Sequence, residues 1–262
     1  MGQFAQGTAV QQLEENLWRA ELSEGWRIGV VPNGGYVLAI AGRALSEALP
    51  HKDPLSINAF YLAPTVLGPI DIRVETLRAG GNTTHAEAKM YQNGELKVQV
   101  TAIYTTLDRL QGETWTSAPR PDYPSWDDLA RLPDAGLEFR RNVEIRLVRG
   151  HEVLRDGKAS GSGEFSGWIT HADGSSPDPL ALLLFADSFP PPSFTIFGRI
   201  GWVPTLELTV QVRGNPVPGP IQVRLVSRHL TRGMIEEDGE YWDSAGNLVA
   251  LSRQSAKLRL PQ

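Results

Sequence analysis

The stretch LALLLFADSFPPPSFTIFGRIGWVPT, residues 180–205, begins as a short apolar helix that carries an acid on its apolar face. Leu180, Leu183 and Leu184 recur at helical spacing, and Asp187 falls on the same face. A carboxylate is unfavourable at the negative C-terminal end of a helix, and among leucines it is costly unless it is hydrogen-bonded. Asp187 is therefore either a functional carboxylate or the first residue of a solvated turn after a frayed helix.

A second helix is predicted after PNGG in the first half of the chain. Asn33 is its expected N-cap, and mostly small apolar residues then recur at helical spacing until Pro50 ends it. Strand-like runs follow at residues 55–62, 70–79, 83–92 and 95–106, with turn signals between them. One helix followed by a meander of strands predicts an α+β unit.

The second half repeats this order after a proline-rich segment. Strands are predicted at residues 137–148 and 163–169, a helix at 177–187, and further strands at 206–212, 221–227, 234–242 and 247–260. The run GPIDIRVETLR at 68–78 is similar to GPIQVRLVSRH at 219–229, and QNGELKVQV at 92–100 is similar to SAGNLVALS at 244–252. The nearly constant offset favours a duplicated unit over two unrelated domains.

The amino-acid composition excludes several classes of function and several kinds of site. The 262 residues are 41% hydrophobic, and a net charge of −5 offers no broad cationic surface for nucleic acid or anionic membrane. The absence of cysteine excludes disulfides, thiolate zinc sites and a cysteine nucleophile. The five histidines have no metal-ligand spacing, so neither a metal nor another cofactor is predicted. The N-terminus lacks the features of a secretory signal, which predicts a soluble, cytoplasmic protein.

Three groups of residues together resemble a known family. PNGGYVLAIAGRAL, LAPTVLGPIDIRVETLRAGG and the late PTLELTV with EYWDSAGNLVALSRQSA look like the thioesterase-like superfamily related to type II acyl-CoA thioesterases. The resemblance implies a double hotdog, in which two antiparallel sheets each wrap around a central helix and the halves form a pseudo-two-fold internal repeat. It implies an N-terminal hotdog at 1–115, a linker at 116–136 and a C-terminal hotdog at 137–262. Exposed sheet edges leave a homo-oligomer open.

The same resemblance implies a catalytic set of an aspartate, a threonine and a glutamine. By motif these are Asp187 in FADSF, Thr205 in VPTLELTV and Gln254 in SRQSA, with Thr209 as the alternative threonine. The two-residue period of the last strand independently places Gln254 on its apolar face, although a solvent-facing strand end is an alternative. The same period places Thr205 with Glu207 and Thr209, opposite Leu206 and Leu208, so Thr205 rests on the resemblance.

These residues suggest hydrolysis of an acyl-CoA thioester by water, without a covalent intermediate. Asp187 would act as general base, and the other two residues would fix the attacking water. The G-x-S-x-G signature of an α/β-hydrolase is absent. Asn33, Gly34 and Gly35 offer free N–H groups at a helix N-terminus, either as a substrate contact or only as a tight cap.

An aromatic segment at 188–204 is predicted to line an acyl pocket. Phe194 and Phe197 are the expected substrate contacts, with plain core packing as the alternative.

Two rival functions use the same fold. An enoyl-CoA hydratase is disfavoured because no histidine lies close to Asn33 or to residues 176–178. A non-catalytic acyl-CoA or lipid binder would need the pocket but not Asp187.

Overall fold

The computed structural model describes residues 2–199 and 202–259. Two buried helices, one in each half of the chain, lie against a long antiparallel sheet. The helices of the described residues are α1 (Gln3–Gly7), α2 (Gly34–Ala48), α3 (His151–Asp156), α4 (Pro179–Phe185) and α5 (Ser193–Phe197). Short 3-10 helices cover Glu24–Trp26, Leu107–Arg109, Trp126–Asp128 and Glu138–Arg141.

The strands agree closely with those expected from the sequence. They are β1 (Val10–Glu14), β2 (Leu17–Leu22), β3 (Arg27–Ile28), β4 (Val31–Pro32), β5 (Asp53–Tyr61), β6 (Gly68–Ala79), β7 (Thr84–Gln92), β8 (Glu95–Thr105), β9 (Val143–Arg149), β10 (Glu164–His171), β11 (Thr205–Val212), β12 (Ile221–Val226), β13 (Leu230–Thr231), β14 (Met234–Trp242) and β15 (Leu248–Lys257). The strand predicted from residue 137 instead begins with the 3-10 helix Glu138–Arg141. The expected end of the last strand at Leu260 lies outside the described residues.

The two antiparallel sheets expected from the resemblance are joined edge to edge, so one sheet runs through both halves. Within the described residues thirteen strands form it, in the order β1-β2-β6-β7-β8-β5-β11-β15-β14-β12-β10-β9, with β13 paired to β14. The halves join where β5 pairs with β11, from Phe60 opposite Glu207 to Ser56 opposite Gln211. From this junction outward, the strands of more than two residues that follow α2 in the first half and α4 in the second have the same order of first, fourth, third and second. The predicted α+β class is confirmed.

Helix α2 forms and stops where its sequence predicts. The Asn33 side chain accepts a hydrogen bond from the N–H of Tyr36 at 2.8 Å, which caps the first turn. The helix is buried along most of its length, and each fully buried Leu or Ile contributes about 1.5–3 kcal/mol. It packs closely on α4, since a Cβ at Gly35 would lie 2.7 Å from the carbonyl oxygen of Leu184. The small residues of α2 allow this approach.

A bulge near the start of β11 changes which residues face the core. Thr205 pairs with Ala256 and Glu207 pairs with Ser255, so Leu206 has no partner on β15. Leu206 is accordingly 39% exposed. Directly paired residues project to the same face of a sheet, so Thr205 lies on the face of Ala256 and not on that of Glu207. The prediction that Thr205 and Glu207 share a face is wrong.

Candidate active site

A cavity of about 1140 Å³ holds the predicted catalytic residues. Its walls come from residues 129–137 of the proline-rich segment, from α3, and from the connection that begins after α4. Asp187, Thr205 and Gln254 all line it. Most of the remaining wall is apolar, so the described residues enclose a space suited to a largely hydrophobic ligand with a few polar groups.

Asp187 follows the last turn of α4 and meets the N-terminus of α2. One carboxylate oxygen, Oδ2, accepts a hydrogen bond from the Gly35 N–H at 3.0 Å and another from the Asn33 side-chain amide at 3.1 Å. The Asn33 amide also donates to the Asp187 carbonyl oxygen at 2.6 Å. The carboxylate that its own helix disfavours is therefore bound at the positive end of the helix from the other half.

Burial raises the pKa of Asp187 from its ordinary value near 3.8 to about 6. Hydrogen bonds from Gly35, Gly34 and Asn33 act in the opposite direction and keep the increase moderate. The hydrogen bonds from the Gly35 N–H and from the Asn33 amide both end at Oδ2, so neither of them engages the second oxygen, Oδ1. Asp187 lines the cavity, so Oδ1 is the oxygen that can accept a proton from a ligand or from water.

The sequence suggested Asn33, Gly34 and Gly35 as a substrate contact, and the structure gives their donors to Asp187 instead. The Gly35 N–H and the Asn33 amide are both engaged by the carboxylate. The hydroxyl of Tyr61 donates to the Gly34 carbonyl at 2.8 Å and ties the same turn to β5. Asn33 and Gly34 do line the cavity, so this turn contributes to its wall while it holds the acid.

Thr205 and Gln254 are in direct contact. The Gln254 side-chain amide donates to the Thr205 hydroxyl oxygen at 2.9 Å, across β11 and β15. The bulge in β11 makes this bond available because it turns Thr205 to the face of Gln254. Thr209 lies elsewhere, since its hydroxyl donates to Glu207 at 2.6 Å and accepts from the Asn58 amide at 2.8 Å. Of the two candidate threonines, only Thr205 lines the cavity.

The amide of Gln254 is only half satisfied. Its oxygen is buried and has no hydrogen-bond partner, and the residue is 6% exposed. Burying an amide oxygen without a hydrogen bond costs free energy. Such an oxygen is typical of a site at which a ligand or an ordered water supplies the missing hydrogen bond. The Thr205 hydroxyl accepts from Gln254 and keeps its own proton to donate. Together they offer one donor and one acceptor.

The sequence analysis missed Glu237, a second acid in the cavity wall. Glu237 lies on β14 directly opposite Gln254 and is 8% exposed. Burial, and then the negative charge of Asp187, raise the pKa of Glu237 well above its usual range. The strand pattern contained the signal, because Ile235, Glu237 and Tyr241 share one face by the two-residue period. Glu237, like Asp187, is therefore an acid on an otherwise apolar face, where a carboxylate is costly unless it is hydrogen-bonded.

The two predicted phenylalanines differ in position. Phe194 on α5 lines the cavity and packs against the core, whereas Phe197 at the end of that helix is not part of the wall. Within residues 2–199 and 202–259, no three His, Asp or Glu side chains are placed to hold a metal ion. No helix in the same part of the chain is long and apolar enough to cross a membrane.

Comparison with protein families gives matches to both halves of the chain. Residues 22–106 match the model of an acyl-CoA thioesterase N-terminal domain, and residues 116–258 match the model of an acyl-CoA thioesterase C-terminal domain. Among curated proteins, the thioesterase-like protein TwmA of Talaromyces wortmannii is 24% identical, over 97% of this chain and 91% of that protein. The order of the two matched domains is the order of the two halves.

Solved structures superpose over nearly the whole chain. A candidate thioesterase II from Thermobifida fusca YX has a TM-score of 0.90 at 30% identity, covering 99% of this chain and 98% of that chain. A hot dog fold protein from Alicyclobacillus acidocaldarius has a TM-score of 0.90 at 22% identity, with both chains fully covered. The acyl-CoA thioesterase II TesB2 from Mycobacterium marinum has a TM-score of 0.78 at 21% identity, covering 99% of each chain.

Proposed function

Because this chain belongs to the thioesterase-like superfamily related to type II acyl-CoA thioesterases, we propose that it hydrolyses an acyl-CoA thioester by direct attack of water. The observation that supports this most is the meeting of Asp187, Thr205 and Gln254 in one cavity, although they come from three separate parts of the chain. On this proposal the apolar wall, including Phe194, surrounds the acyl group.

Asp187 is the general base. Its free oxygen takes a proton from water as the water oxygen attacks the thioester carbonyl carbon. The carbon–sulfur bond then breaks, the acyl group leaves as a carboxylic acid, and the proton goes to the departing thiolate. A pKa of about 6 leaves Asp187 ionised at neutral pH yet more basic than an ordinary aspartate. The α2 N-terminus holds the acid in position throughout.

Thr205 and Gln254 orient the water. The Thr205 hydroxyl is free to donate to the water oxygen, because it already accepts from the Gln254 amide. The unpartnered Gln254 oxygen is free to accept one water proton, which leaves the other proton for Asp187. Fixing a nucleophile in this way lowers the entropy cost of reaction. No serine or cysteine nucleophile is required.

We further propose that the two halves are the hotdog units of a double hotdog, related by a pseudo-two-fold axis. Residues 1–115 and 137–262 would be the units and 116–136 the linker. The matching strand order on either side of the β5–β11 junction supports this arrangement. The linker would then serve a second purpose, since part of it forms a wall of the cavity.

The test is hydrolysis of short, medium and long acyl-CoAs, followed by thiol release. We expect turnover by the wild type and a loss of at least about 100-fold in kcat for Asp187→Ala and Gln254→Ala, since both remove groups that act on the water. Thr209→Val is the matched control for Thr205→Val, because only Thr205 contacts Gln254. Circular dichroism and melting curves should report folded protein for every variant.

Two outcomes would contradict the proposal. Tight binding of acyl-CoA without turnover by the wild type would indicate the non-catalytic binder. Equal activity in the wild type and in a folded Asp187→Ala variant would remove the general base from the mechanism.

A further inference from the structure

Several arginine side chains line the cavity. The lining arginines are Arg131, Arg140, Arg155, Arg199 and Arg259. Some have partners of their own: Arg131 pairs with Asp134 at 3.2 Å, and Arg155 pairs with Asp156 at 2.7 Å. Arg140 differs from these in both burial and pairing.

Arg140 is a buried arginine without a counter-ion. It is 8% exposed, and its guanidinium makes no hydrogen bond or ion pair within residues 2–199 and 202–259. Asp134, the carboxylate whose charge favours it, is already bound by Arg131. Burial lowers the pKa of Arg140 from 12.5 to about 10, so the group is still charged at neutral pH. Burying a cation without a counter-ion costs free energy, and such groups usually pair with an anion.

The cavity itself does not supply that partner. Asp187 and Glu237 are the carboxylates in the described wall, and Asp187 is bound to the N-terminus of α2. Glu237 lies on β14 opposite Gln254, and within the described residues no ion pair joins it to Arg140. The cavity wall therefore holds two acids, one of them the proposed base, and a buried arginine that pairs with neither.

We propose that Arg140 binds a negatively charged oxygen group of the substrate, either a phosphate of the thiol carrier or a carboxylate on the acyl group. A guanidinium offers a planar fork of donors that matches both groups. This inference rests on the proposed thioesterase function, and it narrows the substrate class to thioesters that carry a second anion within reach of Arg140. A plain apolar acyl chain on an uncharged carrier would leave the arginine unpaired.

Four thioesters of one chain length separate the two sources. An alkyl acyl group and an ω-carboxyl acyl group are each joined to CoA and to N-acetylcysteamine, which has no phosphate. The variants are Arg140→Met, which keeps most of the unbranched apolar stem and removes the charge, and Arg140→Lys, which keeps the charge and loses the fork. Arg213→Met is the control, because Arg213 is an arginine outside the cavity wall.

We expect Arg140→Met to raise KM about 10- to 100-fold for the thioesters that carry the recognised anion, as for loss of a charged hydrogen bond. A loss on both CoA thioesters alone identifies the phosphate, and a loss on both ω-carboxyl thioesters alone identifies the carboxylate. The neutral alkyl thioester of N-acetylcysteamine should be unaffected. Arg140→Lys should fall in between, and Arg213→Met should behave as the wild type. An equal loss on all four, or no loss, would overturn the proposal.

Two further measurements keep the inference independent of turnover. Removing an unpaired buried cation should leave the melting temperature of the unliganded protein unchanged or higher, whereas a structural arginine would lower it. Calorimetric titration with free CoA and with a dicarboxylic acid measures binding without chemistry. Equal binding by the wild type and Arg140→Met, or binding of neither ligand, would reject the role of Arg140. Absence of hydrolysis by the wild type would instead reject the proposed function.

Discussion

Asp187 lies where two helix ends of opposite polarity meet. The C-terminus of α4 disfavours its charge, and the N-terminus of α2 favours it through the Gly35 N–H. Burial raises the pKa of the group while these donors hold it down, and the balance is a value of about 6. A base with this pKa changes protonation close to physiological pH, so its state should be visible in the kinetics.

The rate of thioester hydrolysis should rise with pH through a midpoint near 6. Asp187 accepts a proton only when it is ionised, and its pKa is raised to about 6 from 3.8, so activity is lost as the pH falls through that midpoint. The measurement is kcat/KM for wild type between pH 4.5 and 8, in a range where the fold is intact. A midpoint near 4 would mean that the carboxylate is solvated and not buried.

Glu237→Gln provides the control for this profile. Burial and the charge of Asp187 raise the pKa of Glu237 and so favour its neutral form, which a glutamine resembles; Glu237→Gln should therefore leave the midpoint near 6. If Glu237 were ionised at neutral pH, removing its charge would lower the pKa of Asp187, and the midpoint would move to a more acidic pH. The direction of the shift therefore reports the protonation state of Glu237.

Among the catalytic residues, and apart from the family resemblance, the sequence pattern indicated a site residue only where a polar side chain fell on an apolar face. Asp187 and Gln254 were polar residues on apolar faces, and the structure brings both into the cavity. Thr205 had no such signal, because the bulge that turns it inward depends on pairing with β15, which no local pattern specifies. Glu237 also lies on an apolar strand face, but it was not among the predicted site residues. Arg140 had none, since its burial depends on the packing of a 3-10 helix.

At the scale of elements, the contact between α2 and α4 sets the position of Asp187. A Cβ at Gly35 would lie 2.7 Å from the Leu184 carbonyl oxygen, 2.8 Å from that of Leu183 and 3.0 Å from the Asp187 Cβ. Two of these three neighbours are backbone atoms at the end of a helix, which cannot move independently of it. The absence of a side chain at Gly35 is therefore what lets its N–H reach the carboxylate.

Gly35→Ala should destabilise the protein and reduce activity together. The added methyl must push α4 away from α2, and overpacking of this kind costs about 1–3 kcal/mol or more. The same movement lengthens the hydrogen bond that holds Asp187. Urea unfolding measures the first effect and kcat the second.

Gly81→Ala is the matched control for Gly35→Ala. A Cβ at Gly81 would meet nothing within 4 Å, so the substitution should change stability by less than about 0.5 kcal/mol. Wild-type stability in Gly35→Ala would mean that the two helices are not in close contact.

At the level of secondary structure, the sequence could specify where helices begin and where strands begin and end. Asn33 was recognisable as a cap, and it does accept the bond from Tyr36. The join between β5 and β11 was not recognisable, because either strand could have ended its own sheet. Edge pairing depends on the whole surface that two halves present to each other, and this information is not local.

For the whole molecule, the joined sheet means that neither half has a core of its own. Most buried apolar residues of both halves form one cluster, in which α2 and α4 are in contact and β5 pairs with β11. Separating the halves would expose the β5 and β11 edges and remove the donors that hold Asp187. Chains with two independent cores often unfold in two steps, whereas a shared core favours one.

We therefore expect a single cooperative unfolding transition, with equal calorimetric and van 't Hoff enthalpies in differential scanning calorimetry. Ile72→Ala removes a fully buried side chain from β6 in the first half, and Leu225→Ala removes one from β12 in the second half, each at a cost of about 2–5 kcal/mol. Both variants should move the same transition to lower temperature, and Gly81→Ala should leave it in place. Two transitions, each shifted by only one of the variants, would instead show that the halves are separate domains and that the sheet junction contributes little to stability.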